Sequence, residues 1–354
     1  VSLAWLKAHE PARWARIRHV SLPKDTLIHY LTGHHVTDPS DAAGTGMFDV
    51  ARGDWAWDVV DAVGIPREWL PEIVPTGSVV GAVTETAARD LGLRPGIPVI
   101  IAGGDAPAGA FGAGVVEQEQ ALILLSTGAQ VVQPTATYAP DPEGRWYTWP
   151  AATPPVTALS SYLRVGTLLN AGIATAWARN TLAGAGEIAP EPTGLLVLPH
   201  LIGERTPLND AHARGAILGI GPDTSPAAVA RAVMEGIAFS LRHALETITA
   251  GAPPATIRLG GGGAHDAVWR QIITDVLGIP TERVDTPDLS AYGAALLAAR
   301  VLGWQVPGPE PTLATGLPDL ARHGRYGELY GIYRDVVSAV APLSHRLVAW
   351  RDHA

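Results

Sequence analysis

The sequence predicts a two-domain α/β protein, and three observations carry that expectation. At 354 residues the chain is longer than one hydrophobic core usually serves. Hydrophobic residues make up 47% of it and charged ones 17%, a balance that suits a well-buried globular fold rather than a disordered chain. One local plan also occurs twice: an apolar strand, consecutive glycines, an acidic residue, a helix. The first copy is Ile97-Pro98-Val99-Ile100-Ile101-Ala102-Gly103-Gly104-Asp105, followed by small residues to Gly114. The second is Ile257-Arg258-Leu259, then Gly260 to Gly263, Ala264-His265-Asp266 and a helix through Leu277.

Taken in order, residues 1 to 33 read as helical segments broken near Ser21-Leu22-Pro23-Lys24-Asp25, with the proline tolerated just inside a helix start. Thr37 to Thr45 is loop chemistry: either a surface turn held by Asx hydrogen bonds or a lining of small polar groups for a cleft. Trp55 and Trp57 begin a short amphipathic helix that ends at Gly64-Ile65-Pro66. Prolines and glycines from Pro71 to Gly81 mark an irregular connection, and Thr84 to Leu91 is a helix stopped by Gly92. The pattern restarts after Gly114, which places the domain boundary there, with residues 1–115 and 116–354 as the two domains.

In the second domain, Ala121 to Leu125 is a buried strand that runs into Ser126-Thr127-Gly128-Ala129, and Val131-Val132 resume extended structure. Residues 134–158 read as irregular strands, and Gly166 to Asn180 as a helix made narrow by small residues. Leu195 to Leu198 is a strand entering the charged turn Gly203-Glu204-Arg205. Pro226 to Thr249 is a long helix with apolar positions three and four apart, preceded by the capping residues Asp223-Thr224-Ser225. Leu289 to Ala299 is a helix with a Gly/Ala face suited to close packing on another helix, and an amphipathic helix runs from Tyr326 onward.

Chemistry concentrates in a few places. Asp105 stands at the end of a strand, where open α/β sheets bind ligands, although an acidic residue there also suits a helix cap. The turn at 126–129 is either an ordinary hairpin or a concavity of backbone N–H groups for phosphate oxygens. Four consecutive glycines at 260–263 let a backbone approach a ligand closely, and the G-x-G-x-x-G spacing of dinucleotide sites is not met. Glu204 and Arg205 are a ligand contact or, more simply, a local ion pair, and His200 is most simply structural.

Several classes are set aside by composition. A formal charge of −9 argues against a general nucleic-acid partner. The only lysines are Lys7 and Lys24, and neither follows a glycine-rich loop, so no Walker-type P-loop is present. The absence of cysteine removes disulfides, thiol nucleophiles and cysteine-based zinc sites. His29, His34 and His35 lack the HExxH context, so no protein metal site is assigned. No apolar stretch approaches the roughly 20 residues of a membrane helix, and a soluble, cytoplasmic protein without a membrane partner is expected.

The segments together resemble the FGGY family of carbohydrate kinases, within the actin/hexokinase/Hsp70 superfamily, and most closely its xylulose-phosphorylating branch. Leu3 to Pro11, Leu22-Pro23-Lys24-Asp25 and Leu31-Thr32-Gly33 are similar to the first family signature and the helix after it. Ser40-Asp41-Ala42-Ala43-Gly44-Thr45, the turn Gly103-Gly104-Asp105 and the run Gly203-Glu204-Arg205-Thr206-Pro207 also match, the last being the most specific. The second signature spans Gly215 to Gly236 and departs only at Ala228, where a polar residue is usual. Gly260 to Ala264 with Trp269-Arg270-Gln271 resembles the adenosine motif, and Ser126-Thr127-Gly128 the second phosphate loop, Ser126 replacing the common glycine.

The resemblance implies an actin-like, ribonuclease H-like ATPase fold and transfer of the ATP γ-phosphoryl to D-xylulose. It implies Asp105 as catalytic base and, with Gly104, as the sugar contact. Ser126, Thr127 and Gly128 then meet the phosphates, and Gly172, Gly262, Gly263 and Ala264 flank the adenosine, with Mg2+ carried by the nucleotide. The family's N-terminal phosphate loop and its sugar-binding Met-His-Gly segment have no counterpart here. Roughly a hundred residues of the usual N-terminal domain are thus expected to be missing, and this chain alone is expected to turn over little. A homodimer is carried as the expected assembly. Kinases of glycerol, gluconate or ribulose, and a non-catalytic sugar- or nucleotide-binding fragment, are the alternatives.

Overall fold

The computed structural model describes residues 2–153, 161–181, 188–189, 191–306 and 315–352. Its centre is a seven-stranded sheet built from β1 (Gln120–Leu125), β2 (Ala129–Thr135), β3 (Tyr147–Pro150), β4 (Tyr162–Leu168), β5 (Thr256–Gly260), β6 (Thr281–Arg283) and β7 (Thr315–Gly316). The strand order is β7-β6-β5-β1-β2-β4-β3. Strand β5 is parallel to both β1 and β6, whereas β1, β2, β4 and β3 pair antiparallel in that spatial order.

Alternation along β1 divides the core between the two faces of the sheet. Ala121, Ile123 and Leu125 face one cluster with α4 (Pro226–Thr249), α5 (Ala267–Leu277) and α3 (Gly172–Thr181). Leu122, with Val132 and Val165, faces the other, which includes Ala110 of α2 (Asp105–Gly112) and Leu289 of α6 (Leu289–Val301). Helix α4 is buried along nearly its whole length and begins as read, with Ser225 accepting from the Ala228 N–H at 3.2 Å. The last helix, α7 (Leu320–Asp352), lays Tyr326, Tyr330 and Tyr333 around Phe239 of α4.

Ahead of the sheet lies a smaller lobe. Helix α1 (Pro23–Thr32) starts on its proline and ends at Gly33, and Trp55, Phe48, Ile65 and Trp69 form a separate cluster. Residues 39–42 are helical rather than loop, because Asp38 caps them by accepting the Ser40 N–H. Trp55 belongs to a two-residue strand, and the short helix covers Trp57–Val63.

Two expectations need correction. The strand before Asp105 is shorter and less buried than its composition predicts: only Pro98–Ile100 pairs, antiparallel to Val79–Ala82, and the fully buried residue, Ile101, lies beyond it. The helix expected over 166–180 begins at Gly172, because 162–168 is committed to β4 by seven residues of register with β2. Gly166 serves that strand, since a Cβ there meets Thr206 Cγ2 at 2.9 Å. Of the irregular region read at 134–158, residues 154–158 lie outside the described ones.

One titration follows from packing alone. His243 is buried on α4, and burial pushes its imidazole down to about 3, assisted by Arg334, His200 and Arg145. The folded protein holds it neutral, whereas the unfolded chain takes up a proton near pH 6.5. Its contribution is therefore complete above pH 6.5 and is lost as pH falls toward 3, by up to about 1.4 kcal/mol per pH unit. Urea unfolding at pH 6.5 and pH 5 is expected to show a steeper loss for the wild type than for His243→Leu; equal slopes would place the acid sensitivity elsewhere.

Candidate active site

The register of the sheet brings two of the predicted turns together. Gly260 pairs with Leu124 across the parallel β5/β1 ladder, so the chain leaves both strands at the same, carboxyl edge. One exit is Ser126-Thr127-Gly128, the other the glycine run after Gly260. Ligands of α/β sheets bind at this edge.

The first turn is clamped from behind. Gly172 and Ile173, at the start of α3, donate their N–H groups to the carbonyls of Ser126 at 2.9 Å and Thr127 at 2.9 Å. A side chain on Gly172 would collide with the Ser126 carbonyl, and one on Gly128 with the Leu168 carbonyl, so glycine is required at both for this approach. The Ser126 and Thr127 side chains are left exposed.

Across from it, Gly261 has φ +83° and sits against the Leu125 carbonyl. Gly262 has open space where a Cβ would point. Gly263 leans on Leu125 Cβ and the Trp269 ring, and the Ala264 side chain is buried, so that residue can offer a ligand only its backbone. Asp266, which mirrors Asp105 in the sequence plan, caps α5 by accepting from Val268 and Trp269 and pairs with Arg179 at 3.0 Å. The likeness between the two copies is therefore one of sequence plan, since Asp105 is the first residue of its helix and Asp266 the residue before its own.

Between the turns opens a cavity of about 590 Å³, lined by Ser126, Thr127, Gly128, Gly261 and the start of α6 at Asp288, Leu289 and Ser290. Ser290 connects it to the acid: its hydroxyl donates to the Asp105 carbonyl at 2.8 Å. The link is rigid because α2 and α6 cross backbone to backbone. A Cβ on Gly112 would strike the Leu289 carbonyl, and one on Gly293 the Ala108 carbonyl. This is the close helix contact that the Gly/Ala face of 289–299 predicts.

Asp105 itself is the first residue of α2, with Gly104 in the capping position and an exposed carboxylate whose Oδ1 accepts the Ala106 N–H at 2.7 Å. Gly103, at φ +97°, makes the turn before it. Glu204 does fix its loop, but not through an ion pair with the Arg205 side chain. Fully buried, it accepts from the backbone of Leu169 at 2.6 Å and Arg205 at 3.0 Å and from Asn170 Nδ2 at 3.1 Å. That knot holds Leu169 and Ile202 in the cavity wall. A second cavity of about 440 Å³ lies between α3 and the end of α7, is mostly apolar, and touches none of Asp105, Ser126–Gly128 or Gly261–Ala264.

Among the described residues no group of three or more His, Asp or Glu side chains is arranged to hold a metal ion, and no helix is long and apolar enough to cross a membrane. Residues 38–41 are what sequence reasoning underread. Asp38 and Ser40 are buried, and Ser40 reaches the turn that carries Asp105. The signal was the proline after Asp38, which marks a capped helix start rather than an open loop.

Two lobes, a mixed sheet with helices on both faces, and glycine turns gathered at one sheet edge beside a strand-end acid define the two-domain architecture of the sugar kinases. Comparison with known proteins agrees. The N-terminal domain of the FGGY family of carbohydrate kinases matches residues 1–112 and its C-terminal domain residues 125–302. The chain belongs to the FGGY family of carbohydrate kinases, whose members use ATP to phosphorylate sugars. It is 31% identical over 361 residues to the xylulose kinase of Escherichia coli, covering 96% of this chain and 72% of that one. The xylulose kinase of Staphylococcus epidermidis is 33% identical over 315 residues, covering 85% of this chain and 62% of its own length. The solved xylulose kinase of Rhodospirillum rubrum superposes with a TM-score of 0.86 at 30% identity, over 97% of this chain and 72% of that structure.

Proposed function

We propose that this chain transfers the terminal phosphoryl group of ATP to the primary hydroxyl of D-xylulose, giving D-xylulose 5-phosphate and ADP, at the low turnover expected of it above. The observation that supports the reading is the bond from the Ser290 hydroxyl to the Asp105 backbone carbonyl, which ties the helix that begins at the exposed Asp105 to a residue lining the cavity between the two glycine turns. Phosphoryl transfer depends on placing the two substrates and on relieving the attacking hydroxyl of its proton. In this reading Asp105 accepts that proton, and Gly104 beside it contacts the sugar.

The cavity suits a nucleotide on its own features. Two exposed hydroxyls and a tight turn face it on one side, and Gly261, which carries no side chain, on the other. Ser126, Thr127 and Gly128 meet the phosphates; Gly262, Gly263 and the backbone of Ala264 lie along the nucleoside, with Gly172 supporting the phosphate turn from behind. Mg2+ arriving with the nucleotide supplies charge neutralisation on the phosphates. The lobes divide at 115/116 in this reading, which puts Asp105 and the two turns on opposite sides of the division.

Calorimetric titration of the chain with MgADP, then with D-xylulose, glycerol, gluconate and D-ribulose, tests it. Saturable MgADP binding is expected, weakened about fivefold in Thr127→Val, the effect of losing one hydrogen bond. D-Xylulose is expected to bind more tightly than the other three. No MgADP binding, or a Thr127→Val affinity equal to the wild type, contradicts the nucleotide assignment; preference for another of the sugars contradicts the substrate.

A further inference from the structure

We propose that Ser40, held by Asp38 and through it by Lys24, is a positioning residue for Asp105. The proposal rests on Asp105 being the proton acceptor. Ser40 is 3% exposed, and its Oγ accepts the N–H of Gly104 at 2.9 Å across 64 residues of sequence. The same Oγ donates to Asp38 Oδ2 at 2.6 Å. That oxygen also accepts the Ser40 N–H at 3.1 Å and the Thr76 hydroxyl at 2.7 Å. The other oxygen of Asp38 lies 3.1 Å from Lys24 Nζ, and Asp38 is wholly buried.

The direction of this chain of bonds is fixed by what each group can do. An amide N–H only donates, so Ser40 Oγ accepts from Gly104 and its single hydrogen must go elsewhere. Asp38 takes it through Oδ2, while the Lys24 ammonium lies against the other oxygen of the same carboxylate. Lys24, Asp38, Ser40 and Gly104 thus form one oriented path that ends on the residue capping α2, immediately before Asp105. Sterics reinforce it: a Cβ on Gly103 would lie 2.8 Å from Ser40 Oγ, so the turn closes onto that hydroxyl.

Stability alone does not account for the cluster. Lys24 is also 2.8 Å from Asp25 and 3.6 Å from Asp41, so one cation serves three carboxylates, two of them fully buried. Buried ion groups of this kind contribute little net stability, and an excess of one sign costs more. Setting a reacting group repays such an arrangement, because an ångström of misplacement at the reacting atoms reaches a hundredfold in rate.

The test compares Ser40→Ala and Asp38→Asn with the wild type in phosphoryl transfer from MgATP to D-xylulose, and in amide hydrogen exchange at Gly104. Asp38→Asn keeps the side-chain volume, so it serves if Ser40→Ala folds poorly. Each is expected to lower kcat about tenfold with the MgATP KM within twofold, and to speed exchange at Gly104 at least tenfold. Val60→Ala, in a separate cluster of the same lobe, is the control for lost stability: it is expected to lower the unfolding midpoint without that kcat-specific loss. Unchanged Gly104 exchange in Ser40→Ala, a kcat within twofold of the wild type, or the same kcat loss in Val60→Ala overturns the proposal. If Asp105→Asn keeps its turnover, the base assignment fails instead, whatever Ser40→Ala does.

Discussion

Asp105→Asn is expected to lower phosphoryl transfer to D-xylulose by about a hundred- to ten-thousandfold, the range associated with loss of a general base. The asparagine keeps the volume of the side chain and one oxygen, so the bond that Oδ1 accepts from the Ala106 N–H at 2.7 Å can persist and α2 keeps its first turn. What is lost is an oxygen able to take a proton at neutral pH. The turn at 126–128 and the glycine run at 261–263 are untouched by the substitution. MgADP affinity should therefore stay within twofold of the wild type. That split separates a chemical role from a structural one: a joint fall in turnover and nucleotide affinity would mean that the cleft had been disturbed. Turnover within threefold of the wild type would put the proton acceptor elsewhere.

The second large effect concerns the helix beneath the sheet. Glu235 is fully buried midway along α4 and accepts from Arg231 Nε at 2.7 Å and from the Tyr326 hydroxyl of α7 at 2.8 Å. Arg231 in turn donates to Tyr326 at 2.9 Å and to the Ala189 carbonyl at 2.8 Å. Burial raises the Glu235 carboxyl, and the bonds from Tyr326 and Arg231 pull it back. Glu235→Leu removes a buried carboxylate that both Arg231 and Tyr326 donate to, which is expected to cost about 3–5 kcal/mol. The double variant Arg231→Met, Glu235→Leu is expected to lose less than the single one, because both members of the buried pair are replaced together. Urea unfolding checks both. A loss under about 1 kcal/mol in Glu235→Leu, or a double variant worse than the single, contradicts this account of how α7 is pinned to α4.

Much of this was legible in the sequence where a local rule and the tertiary structure agree. Three-and-four spacing with a Ser225 cap located α4 to the residue, and positive-φ glycines stopped helices at Gly33, Gly64 and Gly92. Small residues on α6 announced its close crossing with α2. Reading failed where pairing overrides local pattern. The stretch 166–168 looks helical among its small neighbours, yet belongs to β4 because β2 offers a partner along its full length. Lys24, Asp38 and Ser40 lie in separate segments, at positions 24, 38 and 40, and each looks like ordinary surface chemistry. Only the fold shows that Asp38 and Ser40 are buried and that the chain of bonds ends on Gly104.

The central claim is that a sugar hydroxyl meets Asp105 while a nucleotide occupies the cavity between the two glycine turns. A crystal structure of the chain with D-xylulose and a non-hydrolysable ATP analogue measures this directly. The account predicts the primary hydroxyl of the sugar about 3 Å from an Asp105 carboxylate oxygen, with the phosphates against Ser126, Thr127 and Gly128. Nucleotide in the apolar cavity by α7, or sugar bound out of reach of Asp105, would contradict it.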